Sequence, residues 1–167
     1  MTAGFDTSNY TTSAAVMKDG AIKNYKQLLT VAEHQRGLRQ SDAVFQHTVN
    51  MPRLVAEMSN DFDLSKVRAV GVSARPRNIE GSYMPCFLVG INTARAATEF
   101  CGCRCYETSH QIGHILAALY SADKLELINK KFIAFHVSGG TTEAVLVTPD
   151  KELSLIHISE PTRLGMI

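Results

Sequence analysis

The sequence feature that most restricts the possible fold of this chain is a short turn near the amino terminus, Lys18-Asp19-Gly20. Asp-Gly favours the tight backbone of a β-hairpin turn, and strand-forming runs lie on both sides of it. The first run begins at Thr11, and the second extends from Ala21 to Leu29. Together with the short segment that ends at Asp6, these runs predict a three-stranded meander.

The rest of the chain alternates between helical and strand patterns, which is typical of an α/β protein. Apolar residues recur at helical spacing from Ser41 to about Asn60. After it come a β-branched run at 67–73, a predicted helix from about 85 to 100 and a short strand at 104–106. A second hairpin is predicted at 132–148. We therefore predict an α/β fold in which βα units continue the meander.

The composition excludes several classes of protein. Apolar residues make up 45% of the 167 residues and charged residues 20%, which is typical of a soluble globular protein. A net charge of +1 argues against a strongly basic nucleic-acid binder, although a local basic patch is compatible with it. No apolar run is long enough to span a membrane and the amino terminus lacks a secretion signal, so we expect a cytoplasmic protein.

Two histidines one helical turn apart, His110 and His114, are the strongest chemical signal. Thr108 and Ser109 can cap a helix before them, and residues four apart share a helix face. Neutral imidazole is a ligand of zinc and iron, so the pair is a candidate metal site, although such spacing also arises by chance. Gln111 occupies the position at which zinc peptidases carry their general-base glutamate, which disfavours a metallopeptidase.

Two turns are rich in short polar residues and could contact a phosphate group. The first extends from Asp6 to Asn9, and the second, at 138–142, contains Gly139 and Gly140. Backbone N–H groups and hydroxyls in such turns bind anions, and glycine lets the backbone approach a ligand. Ordinary hairpin turns explain each segment as well, so neither turn is specific by itself.

The four cysteines are Cys86, Cys101, Cys103 and Cys105. The last three alternate with other residues, a spacing that differs from that of a zinc knuckle. Buried, reduced thiols beside a short strand are the favoured interpretation over a metal or disulfide site.

Four ordered motifs together make the chain resemble a known family, the glycoprotease-type catalytic subunits of tRNA threonylcarbamoyladenosine synthase. The first is the strand end Gly4-Phe5-Asp6-Thr7-Ser8, and the second is the loop Gly81-Ser82 with Leu88-Val89-Gly90 in the helix after it. The third is the histidine helix with His110, Gly113 and His114, and the fourth is the glycine turn from Val137 to Thr142. Their order and approximate spacing agree with the family over about residues 3–150. Four motifs in order are far more specific than any one of them.

The resemblance implies a fold like that of actin and the sugar kinases, with two lobes around a nucleotide cleft. Residues 1–130, including the histidine helix, would form the first lobe, built from a three-stranded meander and βα units. Residues 131–152 would form the opening hairpin of the second lobe.

The resemblance also implies a metal-dependent acyltransferase that moves a threonylcarbamoyl group from its adenylate to an adenosine next to the tRNA anticodon. His110 and His114 would be ligands of one divalent iron or zinc ion, and magnesium could accompany an ATP-like nucleotide. The partners would be tRNA, the donor adenylate or an ATP-like nucleotide, and other synthase subunits, with no role for a membrane. Eight residues would contact the donor, and no catalytic acid or base is assigned: Asp6, Ser8, Asn9, Val137, Ser138, Gly139, Gly140 and Thr141.

Two departures from the family pattern keep other functions open. The loop at 75–82 lacks the usual Gly-Pro-Gly, and Thr141 stands where many members have histidine. The chain could therefore be a diverged paralogue, either a nucleotide-binding protein of the kinase type or a non-catalytic scaffold subunit. Retention of His110 and His114 argues against the scaffold.

The last segment of the chain does not resemble the family. Leu153 to Arg163 matches one reading frame of a transposase adaptor used in sequencing libraries, so we expect residues 153–167 to be non-native. The chain would then lack most of the second lobe and the third protein metal ligand that the resemblance implies, a late aspartate. We therefore expect the transfer activity in the parent protein and not in this chain alone.

Overall fold

The computed structural model of the chain describes residues 1–32, 37–137, 142–149 and 156–163. They belong to two compact units, Met1–His110 and Gln111–Ile167. The lobe boundary after residue 130 and the non-native segment after residue 152 stay predictions. Among the described residues, none of the helices combines the length and the hydrophobicity needed to cross a bilayer.

The first unit begins with the predicted meander. Three antiparallel strands form it: β1 (Thr2–Asp6), β2 (Thr11–Lys18) and β3 (Ala21–Leu28). Lys18 pairs directly with Ala21, and the two residues between them, Asp19 and Gly20, have φ angles of 51° and 81°. The type I′ two-residue hairpin turn needs positive φ at both positions, and Asp-Gly is a sequence that accepts this conformation. The hairpin predicted from this dipeptide is therefore confirmed.

The βα units add two strands and two helices to this sheet: α1 (Gln40–Asp61), β4 (Ala69–Arg75), α2 (Phe87–Cys101) and β5 (Arg104–Ser109). The strand order is β3-β2-β1-β4-β5, and β1, β4 and β5 are parallel. The carboxyl ends of these three strands therefore meet at one edge of the sheet, and their amino ends meet at the other.

The core of the first unit lies between the sheet and helices α1 and α2. α1 packs mainly on β2, and α2 packs mainly on β4. The buried side chains include Val16 and Val70 from the strands and Met51, Met58 and Ala94 from the helices. Burying one large apolar side chain contributes about 1.5–3 kcal/mol, so this core fixes the positions of the strand ends.

The second unit contains an antiparallel sheet with the order β6-β7-β8: β6 (Phe132–Val137), β7 (Thr142–Pro149) and β8 (Ile156–Arg163). Helix α3 (His110–Ser121) begins at the last residue of the first unit and continues into the second. Ile112 of α3 packs with Val145 and Val147 of β7. The backbone of β8 pairs with β7. This pairing does not reveal the origin of the segment, so the non-native origin of residues 153–167 stays a prediction.

Candidate functional site

Polar side chains form a row at the carboxyl ends of the parallel strands. Phe5 pairs with Val72 in register, so Asp6 and Ser73 lie side by side, and Ser73 pairs with Thr108. The hydroxyl of Thr108 is buried and has no hydrogen-bond partner among the described residues. Open α/β sheets bind ligands at the carboxyl ends of their strands, so this edge is the candidate functional site.

A side-chain hydrogen bond joins Asp6 and His110 at this edge. The Nδ1 atom of His110 lies 2.9 Å from Oδ2 of Asp6. A carboxylate only accepts hydrogen bonds, so Nδ1 carries the proton and donates it to Asp6. The backbone N–H of Ser8 donates to the other carboxylate oxygen, Oδ1, at 2.8 Å. The pair fixes the orientation of the His110 ring, which also packs against the Phe87 ring in a T-shaped arrangement with 6.4 Å between centroids.

The electrostatics of Asp6 favour its ionised form. Burial by itself raises the pKa of this carboxyl group, but hydrogen bonds from His110, Ser73 and Ser8 outweigh burial and lower the pKa to about 2. Asp6 is therefore a carboxylate at neutral pH, and its negative charge directs the N–H of His110.

The loop between β1 and β2 is anchored at successive residues. The hydroxyl of Thr7 donates to the carbonyl of Cys86 at 2.8 Å and accepts the N–H of Gly90 at 3.1 Å. The thiol of Cys86 donates to the carbonyl of Ser8 at 3.4 Å. The loop is thus tied to the first turns of α2, where helical N–H groups otherwise lack partners.

A buried histidine anchors the same loop from α1. His47 is fully buried, with Nδ1 2.8 Å from the hydroxyl of Thr12 and Nε2 3.2 Å from the carbonyl of Asn9. The amide of Asn50 donates to the Thr12 hydroxyl at 3.3 Å, so the hydroxyl donates to Nδ1 and the proton of the ring is on Nε2. Burial lowers the pKa of His47, in agreement with a neutral ring.

The predicted donor-binding residues have different outcomes. Asp6, Ser8 and Asn9 lie together in the anchored loop, but both oxygens of Asp6 contact groups of the protein, His110 and Ser8, rather than facing outward. Val137 is the last residue of β6, and Ser138, Gly139, Gly140 and Thr141 lie outside the described residues. Contact of these eight residues with a donor stays a prediction.

The predicted metal ligands, His110 and His114, lie one turn apart on α3. Within the second unit, His114 is exposed and lines an apolar cavity of about 550 Å³ with Leu119, Phe132 and Val145. A metal-ligating histidine usually donates its other N–H to a carboxylate, and His110 has that arrangement with Asp6. The described residues contain no group of three His, Cys, Asp or Glu side chains that could hold a metal ion. The role of His110 and His114 as metal ligands therefore stays a prediction, as does the metal.

Sequence patterns did not reveal the pairing of Asp6 with His110, because these residues are 104 positions apart. The available signal was a lone carboxylate at the end of a strand that precedes βα units. Parallel pairing brings such a residue to the ends of the later strands.

Two curated proteins are similar to most of this chain. The tRNA N6-adenosine threonylcarbamoyltransferase of Thermosipho africanus is 26% identical over 158 residues, which cover 92% of this chain and 45% of the relative. The protein of the same name from Lactobacillus acidophilus is 28% identical over 157 residues, which cover 91% of this chain and 42% of the relative. The chain thus spans less than half the length of these relatives. They confirm the resemblance predicted from the four motifs, although no protein-family model matches the chain.

Two solved structures share the fold of the chain. YeaZ from Pseudomonas aeruginosa has a TM-score of 0.58 at 12% identity, with 98% of this chain and 68% of that chain covered. The second is described as an uncharacterized protein with similarity to peptidase YEAZ from Pseudomonas aeruginosa. It has a TM-score of 0.57 at 12% identity, with 96% of this chain and 64% of that chain covered. At this identity the likeness shows the fold alone, and it confirms the predicted actin-like α/β fold.

Proposed function

Because this chain is related to the tRNA N6-adenosine threonylcarbamoyltransferases, we propose that it forms the donor-binding and metal-binding part of a tRNA-modifying acyltransferase. The observation that carries the proposal is the hydrogen bond of 2.9 Å from His110 to Asp6 at the carboxyl ends of the parallel strands. A carboxylate that holds Nδ1 directs Nε2 of the same ring toward a metal ion, which is the usual arrangement of a metal-ligating histidine.

The residues have separate roles in this proposal. Asp6 orients His110. His110 and His114 would supply two metal ligands from α3. A bound iron or zinc ion would polarise the threonylcarbamoyl carbonyl of the donor. A complete centre requires a further ligand from outside the described residues, because catalytic zinc sites use three protein ligands.

The donor adenylate would lie along the anchored loop and the glycine turn. Ser8 and Asn9 would face its phosphate, and the backbone N–H groups of Ser138, Gly139 and Gly140 would cradle it. Magnesium would accompany an ATP-like nucleotide in the same place, and other synthase subunits would complete the assembly. An enzyme of this kind acts on tRNA in the cytoplasm.

Metal binding by the purified chain is the first test. We expect zinc to bind the wild-type chain and to bind the His110→Ala variant with much lower affinity. Competition with a chromophoric chelator measures both affinities. A variant with Cys101, Cys103 and Cys105 changed to Ser is the matched control, because it removes thiol ligands and should bind zinc as the wild type does. Zinc affinity that depends on the thiols and not on His110 would contradict the proposal.

Transfer is tested in a protein of the relatives' length, with residues 1–150 of this chain joined to the carboxyl-terminal part of the Thermosipho africanus relative. We expect label from threonylcarbamoyl adenylate to enter unmodified tRNA, and Asp6→Ala to reduce the rate. Phosphorylation of a small metabolite by ATP without labelling of tRNA would instead support the kinase-like alternative. Tight binding to a synthase subunit with neither reaction would support the scaffold.

A further inference from the structure

A cavity of the first unit lies at the end of the parallel strands opposite to Asp6. It has a volume of about 620 Å³, and Arg68, Arg104, Cys101 and Cys103 line it. Arg68 immediately precedes β4, and Arg104 is the first residue of β5. The cavity is therefore built from the amino ends of two strands and the carboxyl end of α2, and it shares no residue with the candidate donor site.

Both arginines at this cavity are exposed, and neither has an acidic partner among the described residues. Arg95 shows the contrast, because its guanidinium binds the Glu107 carboxylate through Nε at 3.0 Å and Nη2 at 2.6 Å. The acidic side chain nearest to Arg68 in the sequence, Asp63, lies 3.3 Å from the ammonium of Lys66. The cavity thus has two positive charges that the described protein does not neutralise.

The other walls of the cavity provide few competing groups. Burial, reinforced by the neighbouring Cys101, raises the pKa of the Cys103 thiol, so that thiol is uncharged at neutral pH. The N–H groups of Gly102 and Cys103 both donate to the carbonyl of Thr98. This pairing satisfies a terminal carbonyl of α2, and the helix dipole, about half a negative charge, offsets only part of the charge of the two guanidinium groups. Arg68 and Arg104 are therefore the donors available to a ligand.

From this geometry we propose that the cavity between Arg68 and Arg104 binds a phosphate group of the tRNA backbone. Guanidinium groups bind phosphate through paired, charge-assisted hydrogen bonds, and ligand cavities typically have volumes of about 300–1,000 Å³. The inference rests on the proposed function for its choice of ligand, because the curated relatives are named as acting on tRNA. It adds a tRNA contact at the end of the sheet remote from the donor site.

The test measures the affinity of the full chain for unmodified tRNA as a function of salt concentration. Each lost phosphate contact lowers the slope of log affinity against log salt by about 1. Both arginines contact the same phosphate, so we expect a decrease of about 1 in the double variant and of at most about 1 in Arg68→Gln and in Arg104→Gln. Arg53→Gln is the matched control, because Arg53 is an exposed arginine of α1 that does not line the cavity.

Lysine substitutions test whether the charge of the arginines is what binds phosphate, and small anions test whether the phosphate belongs to tRNA or to a free compound. Arg68→Lys and Arg104→Lys should retain most of the salt slope, because phosphate binding uses their charge, and circular dichroism should show every variant folded. tRNA binding with the same slope in the glutamine variants and the wild type would overturn the inference and leave the metal and donor site intact. Arginine-dependent binding of inorganic phosphate or ATP without any tRNA binding would assign the cavity to a free phosphate compound and also overturn it.

Discussion

The two ends of the same three parallel strands differ in how their charges are satisfied. At the carboxyl end, the Asp6 carboxylate accepts hydrogen bonds from His110 and Ser8, and the loop that carries it is tied to α1 and α2. At the amino end, Arg68 and Arg104 line a cavity and have no acidic partner in the described part of the chain. The first end is thus organised by the protein itself, whereas the second has charge that a ligand can neutralise. Substitutions at the first end should therefore change stability, and substitutions at the second should change binding.

The largest expected effect on stability comes from Asp6→Ala. This change removes the acceptor of the His110 N–H and of the Ser8 N–H, and a hydrogen bond to a charged group contributes about 1.5–3 kcal/mol. Urea unfolding measures the loss. Asp6→Asn is the matched control, because its amide oxygen still accepts a hydrogen bond, and its loss should be smaller. Equal stability of Asp6→Ala and the wild type would show that the pair does not organise this end.

Gly90→Ala should disturb the anchored loop next. A Cβ at this position would lie 3.0 Å from the Thr7 hydroxyl oxygen and 3.4 Å from a methyl group of Val72. Overpacking of this kind costs about 1–3 kcal/mol, and the better helix propensity of Ala returns about 1 kcal/mol.

Gly71→Ala is the control for this change, because a Cβ at Gly71 meets nothing within 4 Å. Thermal unfolding should show a lower Tm for Gly90→Ala than for Gly71→Ala. A higher Tm for Gly90→Ala than for Gly71→Ala would mean that the contact between Thr7 and α2 adjusts to the added methyl group without a loss of stability.

His47 should make the stability of this end depend on pH. Burial lowers the pKa of His47 from 6.5, so the unfolded chain takes up a proton first as the pH falls. The free energy of unfolding should therefore be highest above the unfolded pKa and decrease as the pH falls toward the lowered pKa of the folded state. The hydrogen bond to Asn9 and the charge of Asp6 oppose this decrease in part.

Unfolding by denaturant at several pH values from about 8 to about 5 measures the His47 effect. His47→Gln lacks the titrating group, so its stability should change less over this range than that of the wild type. Identical pH profiles for the two proteins would assign the acid sensitivity to another group.

The smallest expected effect is at the amino end. Arg68→Gln and Arg104→Gln remove exposed charges without acidic partners among the described residues, so each should change the free energy of unfolding by less than about 0.5 kcal/mol. Urea unfolding of the variants used for tRNA binding measures this directly. A loss of stability comparable with that of Asp6→Ala would mean that the two ends do not differ in the way described.

Local patterns were sufficient for much of the fold. The Asp19-Gly20 dipeptide predicts its hairpin because the turn conformation depends on those two residues alone. Apolar spacing predicts α1, which extends from Gln40 to Asp61 against a predicted start near Ser41 and end near Asn60. In both cases the interacting residues are close in sequence.

The contacts of the site depend instead on strand order, which local patterns do not contain. Asp6 was predicted to face a phosphate, and its contact with His110 appears only when β1 pairs with β4 and β4 with β5. Arg68 and Arg104 meet at one cavity for the same reason. The motifs identified the residue types at the carboxyl end, and the topology determines which of them touch.

The pairing of Asp6 with His110 is the central claim, and nitrogen-15 NMR of the His110 ring during zinc addition tests it most directly. We predict that Nδ1 carries the proton in the wild-type chain and keeps it when zinc is added. The Nε2 resonance should then shift. In Asp6→Ala, we expect the ring proton no longer to favour Nδ1 over Nε2. A ring protonated on Nε2 before zinc is added, or an Nε2 resonance that zinc leaves unchanged, would contradict the account.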